Sequence, residues 1–321
     1  DLHALGITTI HEMVRLPEEA DDFAVLREIG QLDLRVRFYY RIHETPIAID
    51  WFEGLGIRRG LGDDWLRVLG VKISIDGWCI VRNAAVEEPY FGEPDNRGLL
   101  RIDQECLSEL VGRADRQGLG IALHAVGPRA VDAALDAFAA SAPLRAGPHR
   151  IEHAHLDLDR SRLRRMRELG IVWSAQPALL TTYVRDWERA LGPDRTERVL
   201  RLRDGLEVGV PIVLDSDLPS GPAGPLRAIR AAVDRSAGDR RVGADQAIDL
   251  VTAWRAHTTV PAELAGDGRL GRLATGYRAD LVVLDSDPFA DPTPAGTTTL
   301  DETRVVATMI DGRFVHGPWS T

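Results

Sequence analysis

Residues 120–156 read GIALHAVGPRAVDAALDAFAASAPLRAGPHRIEHAHL, and they contain a complete strand–helix–strand pattern. A short apolar run ends at His124, a helical pattern follows the Gly127-Pro128 pair, and a second short run ends at His153. Two strands joined by a crossover helix lie parallel and side by side. The stretch therefore predicts one unit of a parallel sheet, with a histidine at the carboxyl end of each strand.

These two histidines are the first candidates for a functional site. Ligands bind at the carboxyl ends of parallel strands, both in barrels and in open sheets. Two imidazoles at that edge can bind one metal ion. The alternative is that each histidine only caps its strand by bonding a nearby carbonyl. A matched pair on neighbouring strands favours the site.

Outside this unit, the chain repeats the same pattern. Nearly unbroken apolar runs predict seven strands, which begin near residues 7, 34, 71, 120, 150, 171 and 210. Such runs are typical of strands that are covered on both faces. The sequence therefore predicts an α/β fold, a (β/α)8 TIM-type barrel that is incomplete, with about seven βα units and its first strand missing.

Two connections between these strands carry further expectations. Residues 63–69 have a short helical pattern, and residues 78–100 have no clear period. A loop as long as the second is often functional in a compact domain. Asp76 precedes this loop and Tyr90 lies in it, and both are candidate substrate-binding residues. It is equally consistent with the sequence that Asp76 only forms a turn and that Tyr90 only packs in the core. Gln176, at the end of the sixth strand, is a third candidate.

The pattern changes in the last sixth of the chain. Residues 280–285, 304–310 and 313–316 read as strands, and the Asp311-Gly312 pair between the last two indicates a tight hairpin. We therefore predict a partial barrel over residues 1–267 and a small β-sandwich segment over residues 268–321.

Composition excludes several classes of partner. The 39 basic and 49 acidic residues give a net charge of −10, which argues against a nucleic-acid surface. No apolar run approaches the roughly 20 residues of a membrane span. Cys79 and Cys106 are too few for a disulfide framework and fit a reducing, cytoplasmic compartment. A small-molecule substrate is the expected partner, and a homodimer is left open.

Lys72 is the single lysine, so the other 38 of the 39 basic residues are arginine. Unlike a guanidinium, an amine can lose its proton when buried and can react covalently. Lys72 lies on the third strand and Asp217 follows the seventh, so both should share one edge with His124 and His153. Zn²⁺ binds imidazole and carboxylate well and lowers the pKa of a bound water toward ~7. A carboxylate such as Asp217 can then transfer the proton.

Further polar residues near this edge have weaker signals. We expect Asp215 to accept hydrogen bonds behind the ligands, Arg150 to pair with an internal carboxylate, and His155 to lie on the surface or behind the site.

The segments VKISIDG, GIALHAVGPRAVDAALDAF, RIEHAHL, LDSDLPSGP, GRLATGYRADLVVLDSDPF and VVATMIDGRFVHG resemble the amidohydrolase superfamily. The most similar branch is the amidohydrolase-3 group that includes N-substituted formamide deformylase-like enzymes. The resemblance implies hydrolysis of a C–N bond in an amide, N-formyl or cyclic amide, with one or two divalent metals, Zn²⁺ above all. It implies that Lys72 is carboxylated and bridges two metals, that His124 and His153 are ligands, and that Asp217 binds metal and moves protons.

One feature departs from that pattern. The family's first strand carries a His-x-His pair, and no such pair precedes Lys72 here. Either the chain is a fragment that needs the missing N-terminal segment of the same protein, or it is a degenerate homologue. We expect the fragment. The alternative functions are a non-catalytic or inactive fragment and an ester or phosphoester hydrolase on the same barrel.

Overall fold

The main sheet of the computed structural model has seven parallel strands in sequence order, within the residues that the structure describes (2–43, 45–290, 300 and 302–320). They are β1 (Thr9–Val14), β2 (Arg35–Arg41), β3 (Leu66–Ser74), β4 (Gly120–Ala125), β5 (Arg150–His153), β6 (Val172–Ala175) and β7 (Ile212–Leu214). The sheet is curled, as in a TIM-type barrel. The predicted fold class and all seven predicted strands are confirmed.

Helices connect the strands and cover the sheet. They are α1 (Pro17–Glu28), α2 (Asp50–Gly54), α3 (Gln104–Gln117), α4 (Pro128–Ala140), α5 (Arg160–Glu168), α6 (Ala178–Leu191), α7 (Pro193–Thr196), α8 (Leu202–Val208), α9 (Pro225–Asp234), α10 (Leu250–Arg255) and α11 (Thr259–Ala265). Local signals set their ends: the Asp103 side chain accepts the Cys106 N–H (2.8 Å) at the start of α3, and Gly118 ends that helix with φ 80°.

The helix predicted for residues 63–69 is wrong, because β3 begins at Leu66. The Asp63 carboxylate accepts the N–H groups of Trp65 (2.7 Å) and Leu66 (2.8 Å), which forms a turn instead of a helical start. Val68 then donates its N–H to Leu61 O (2.8 Å) while β3 pairs with β2. The side-chain turn and the strand pairing together override a weak helical period.

The barrel is incomplete within the described residues, as expected. β1 pairs only with β2 and β7 only with β6, so the sheet has two edges where a closed barrel has none. Unpaired strand edges expose backbone donors and acceptors that can bind another strand.

A small antiparallel sheet follows the barrel, formed by β10 (Leu281–Leu284), β11 (Val305–Ile310) and β12 (Arg313–His316). Two short strands, β8 (Ser236–Ala237) and β9 (Arg240–Arg241), form a separate hairpin. Asp311 (φ 51°) and Gly312 (φ 84°) make the tight turn that their sequence predicts. The exact boundary at residue 267 stays a prediction.

Buried ion pairs join Asp267 and Asp280, which precede this small sheet in the chain, to the amino end of β2. Arg35 donates two hydrogen bonds to Asp280 (2.7 and 3.0 Å), and Arg37 donates two to Asp267 (2.8 and 3.1 Å). Both arginines are only 1% exposed. Bidentate arginine–carboxylate pairs have strict geometry, so they fix the C-terminal segment against the end of the barrel opposite the candidate site.

Candidate active site at the carboxyl ends of the strands

Lys72, His124 and His153 lie on three neighbouring strands at the carboxyl-end edge of the sheet, which we call the mouth. The register places Lys72 opposite Ala122 on β4 and pairs Ala125 with His153. The rings of His124 and His153 meet edge to face, with centroids 4.5 Å apart. The backbone of His153 has φ 74°, which is uncommon for a residue other than glycine and recurs at functional sites. The structure thus brings the two histidines into contact.

His124 is neutral and held in one tautomer. Its Nε2 lies 3.0 Å from Gly77 O, so this nitrogen carries the proton and donates to the carbonyl. Burial, followed by the Lys72 charge, lowers the pKa of His124 to about 3. Its Nδ1 therefore keeps a lone pair at neutral pH, which is the form of imidazole that binds a metal.

Gln176 fixes the tautomer of His153 in the same way. Its side-chain Oε1 accepts from His153 Nδ1 (2.9 Å) and from His155 Nε2 (2.8 Å), while its Nε2 donates to Asp215 Oδ2 (2.7 Å). Burial is the main cause that holds the pKa of His153 well below its usual range, and the nearby Lys72 charge acts in the same direction. His153 Nε2 is left with a lone pair. The structure places Gln176 behind the histidines, and its contact with substrate stays a prediction.

His155 is buried behind the site, which is one of the two locations that the sequence predicted for it. Its Nδ1 has no hydrogen-bond partner in the described part of the chain, and burial lowers its pKa to about 4. The His155 ring lies near Trp187, with centroids 5.7 Å apart. No signal in the sequence distinguished this position from a surface histidine.

Asp215 accepts hydrogen bonds behind the two histidines, as the sequence predicted. Its Oδ2 accepts from Ser174 Oγ (2.6 Å) and Gln176 Nε2, and its Oδ1 accepts from Asp217 N (3.0 Å). Burial, followed by the charge of Glu152, raises the pKa of Asp215 to about 7. Asp217 itself is exposed at the mouth and has a left-handed backbone (φ 51°). Asp217 is thus an exposed residue, whereas both oxygens of Asp215 accept hydrogen bonds.

Lys72 lies in a buried group of charges. Its Nζ is 4.0 Å from Glu152 Oε1, and Arg150 forms an ion pair with the same carboxylate, as predicted. The Arg150 guanidinium also stacks on the Tyr39 ring at 4.6 Å. Burial lowers the pKa of Lys72, against the opposing effect of Glu152. A lysine of lowered pKa has more free amine, which is the reactive form. The sequence search missed Glu152, because one acidic residue inside a strand has no distinguishing pattern.

Asp76 and Tyr90 both bond to the loop 78–100. Asp76 accepts backbone N–H groups from Ala85 (3.0 Å), Val126 (2.9 Å) and Gly127 (2.9 Å), and its Oδ1 is 3.6 Å from His124 Nε2. The Tyr90 hydroxyl donates to Ala84 O (3.0 Å). These bonds position the loop beside His124. Direct contact of either side chain with substrate stays a prediction.

The chemistry of the histidine pair fits a metal ion. Each ring has one nitrogen committed to a protein oxygen and one lone pair free, and Zn²⁺ binds neutral imidazole. Among the described residues, however, no group of three His, Cys, Asp or Glu side chains is arranged to hold a metal ion. The predicted four-residue cluster is thus present as a histidine pair, with Lys72 and Asp217 within electrostatic range of each other.

The sequence profile described as "Amidohydrolase family" (Amidohydro_3) matches residues 1–316. The chain belongs to this family. The resemblance inferred from the motifs, including its amidohydrolase-3 branch, is confirmed.

Individual relatives agree with that assignment. The chain is 28% identical to the Bacillus subtilis protein YtcJ over 84% of this chain and 50% of the relative. It is 31% identical to the N-substituted formamide deformylase of Arthrobacter pascens, over 77% of this chain and 45% of the relative. A crystal structure of an uncharacterised metal-dependent hydrolase from Pyrococcus horikoshii is 30% identical with a TM-score of 0.78, covering 89% of this chain and 58% of that one. The chain spans about half the length of the curated relatives it matches.

The described helices do not have the features of a membrane span. None of them combines the length and the apolar character that crossing a bilayer needs.

Proposed function

We propose that the protein containing this chain is a metal-dependent hydrolase that cleaves the C–N bond of an amide, N-formyl or cyclic amide substrate. The observation that carries the proposal is the pair of neutral imidazoles at the mouth, each with one nitrogen fixed and one free. Similarity to an N-substituted formamide deformylase supports the amide substrate. Similarity to a metal-dependent hydrolase supports a divalent metal, for which we propose one or two Zn²⁺ ions.

In this proposal, His124 and His153 hold the metal, and Gly77 O and Gln176 keep them oriented. Lys72, carboxylated on its amine, supplies a further ligand. The remaining ligands come from a segment outside this sequence, since the match covers only about half of each relative. A bound divalent metal would supply Lewis-acid activation of water and of the substrate carbonyl.

Asp217 is the proposed proton carrier. It lies exposed at the mouth, and its backbone N–H is fixed by Asp215. It takes the proton of the attacking water and returns it to the leaving nitrogen, which must be protonated because an amide anion is a poor leaving group. Asp215 cannot substitute for it, because both of its oxygens already accept hydrogen bonds.

The test is the metal content of the full-length protein and of four variants. We expect His124→Ala and His153→Ala to lose the metal on dialysis, together with amide hydrolysis. Gln176→Leu should weaken binding less, by about 10- to 100-fold, as is usual when the partner of a metal-binding histidine is removed. The matched control is His43→Ala, at an exposed histidine before α2. A wild type without metal, or histidine variants that retain it as His43→Ala does, would refute the proposal.

A cytoplasmic location is also part of the proposal. The buried Cys79 is a free thiol in the structure, which fits a reducing compartment.

A further inference from the structure

Two aromatic side chains from distant parts of the sheet meet at the mouth. Trp78 follows β3, and Tyr183 lies in α6, after β6. Their rings pack edge to face with centroids 5.2 Å apart. Both side chains are half-buried, with one side packed on the core and the other open to solvent. The proposed function uses neither of them.

Each ring of the aromatic pair is connected to a residue of the proposed site through the backbone. Trp78 directly follows Gly77, whose carbonyl accepts the hydrogen bond from His124. The Tyr183 hydroxyl donates to Ser220 O (2.9 Å), and Ser220 N donates to Asp217 O (2.7 Å). The pair therefore extends across the mouth from the metal-binding side to the proton carrier.

The helical geometry of α6 is interrupted at Tyr183. The residue has non-helical angles (φ −120°, ψ 15°) in the middle of α6. Just before it, the hydroxyls of Thr181 and Thr182 both donate to Ala178 O (2.8 and 3.0 Å). Such side-chain bonds to a helical carbonyl bend helices, which accounts for the change of direction at Tyr183.

The backbone of Trp78 is also held by a hydrogen bond. Its backbone N–H donates to Asn83 Oδ1 (2.7 Å), within the loop that Asp76 fixes. The bond to Ser220 O thus fixes the Tyr183 ring, and the bond to Asn83 fixes the backbone that carries the Trp78 ring. A rigid apolar surface of this kind binds an apolar group with little loss of side-chain freedom.

We propose that Trp78 and Tyr183 form the wall that binds an aromatic or bulky alkyl substituent on the nitrogen of the scissile amide. This inference rests on the proposed function, because Asp217 protonates the leaving nitrogen and the Tyr183 end of the wall is bonded beside Asp217. The preferred substrates are therefore N-arylalkyl or N-alkyl amides. The acyl group lies away from the wall, and its bulk matters less.

The test uses two constitutional isomers, N-benzylacetamide and N-methyl-2-phenylacetamide. They have the same atoms and the same amide, but the ring is attached on opposite sides of it. Calorimetric titration of the metal-depleted full-length protein measures binding without turnover. The variants are Tyr183→Leu and Trp78→Leu, which lie on different elements, with Tyr183→Phe as a matched control that keeps the ring. Circular dichroism checks the folding of each variant.

We expect the wild type to bind N-benzylacetamide about tenfold more tightly than its isomer, a typical discrimination for a small apolar pocket. Tyr183→Leu and Trp78→Leu should remove that preference, and Tyr183→Phe should retain it. Equal binding of the isomers, no binding of either, or equal losses for both isomers in the leucine variants would overturn the proposal. The titration measures binding and not catalysis. A protein that binds N-benzylacetamide in this way but hydrolyses no amide would contradict the proposed function and not the aromatic wall.

Discussion

Asp76 provides the most quantitative prediction about the candidate site. Its carboxylate is 1% exposed and accepts three backbone N–H groups, from Ala85 in the long loop and from Val126 and Gly127 at the start of α4. Ala85 and Gly127 bond to one oxygen and Val126 to the other. Asp76 thus joins the loop to the segment after His124, and its loss should loosen both.

The comparison of Asp76→Ala with Asp76→Asn isolates these hydrogen bonds. Both variants remove the buried charge, so the cost of burying it cancels. Asparagine can keep its oxygen toward Ala85 and Gly127 and leaves one N–H unpaired, whereas alanine leaves all three. Each unpaired buried N–H costs about 1–3 kcal/mol, so Asp76→Ala should be less stable than Asp76→Asn by about 2–6 kcal/mol.

The assay is chemical unfolding of the full-length protein, with hydrogen exchange of the three amides as a local readout. Asp103 is the matched control, because its exposed side chain accepts one N–H at the start of α3. Asparagine and aspartate cap helices about equally, and alanine costs about 1 kcal/mol there. An alanine–asparagine difference at position 76 no larger than at position 103, with unchanged exchange, would refute the reasoning.

Two further predictions concern proton transfer and pH. Asp217→Asn should lower the rate of amide hydrolysis about 10²- to 10⁴-fold, but lower p-nitrophenyl acetate hydrolysis much less, because that leaving group needs no proton; equal losses would exclude the role. Burial lowers the pKa of His257 to about 4, below the ~6.5 of an unfolded histidine, so its contribution to stability is lost as pH falls from 6.5 to 4. His257→Gln should reduce the slope of the free energy of unfolding against pH in this range by about 1.4 kcal/mol per pH unit, and an unchanged slope would contradict the assignment.

The sequence was sufficient for the parallel sheet and the histidine pair because both depend on local patterns. Apolar runs that end at His124 and His153 specify two strands and their carboxyl ends, and the intervening helix makes the strands neighbours. Sheet register then brings the rings into contact with no further information. The hairpin at Asp311-Gly312 was predictable for a similar reason, since few residues adopt the positive φ angles of that turn.

The hydrogen bonds that orient the site were not predictable in the same way. Gln176 bonds to His153 across 23 residues, and Asp76 bonds to Gly127 across 51. Such contacts depend on the packed structure, and one glutamine or aspartate after a strand does not identify its partners. The short helical pattern at residues 63–69 failed for a related reason, because a carboxylate turn and pairing with β2 outweighed it.

The buried charges around Lys72 predict that the proposed carboxylation of Lys72 and the proposed metal binding occur together. With an ammonium at Lys72, the cations Lys72 and Arg150 face the anion Glu152, and Asp215, whose pKa is about 7, is partly charged. The net charge of these four side chains then lies between about zero and +1, which the interior can accommodate. Carboxylation of Lys72 would change the sum to between about −1 and −2 and would place a second anion near Glu152. Uncompensated buried charge is strongly unfavourable, and a divalent cation beside His124 and His153 would neutralise it. We therefore expect Lys72 in the metal-depleted protein to be an unmodified amine and to become carboxylated only when metal and bicarbonate are supplied together, which native mass spectrometry at neutral pH can detect.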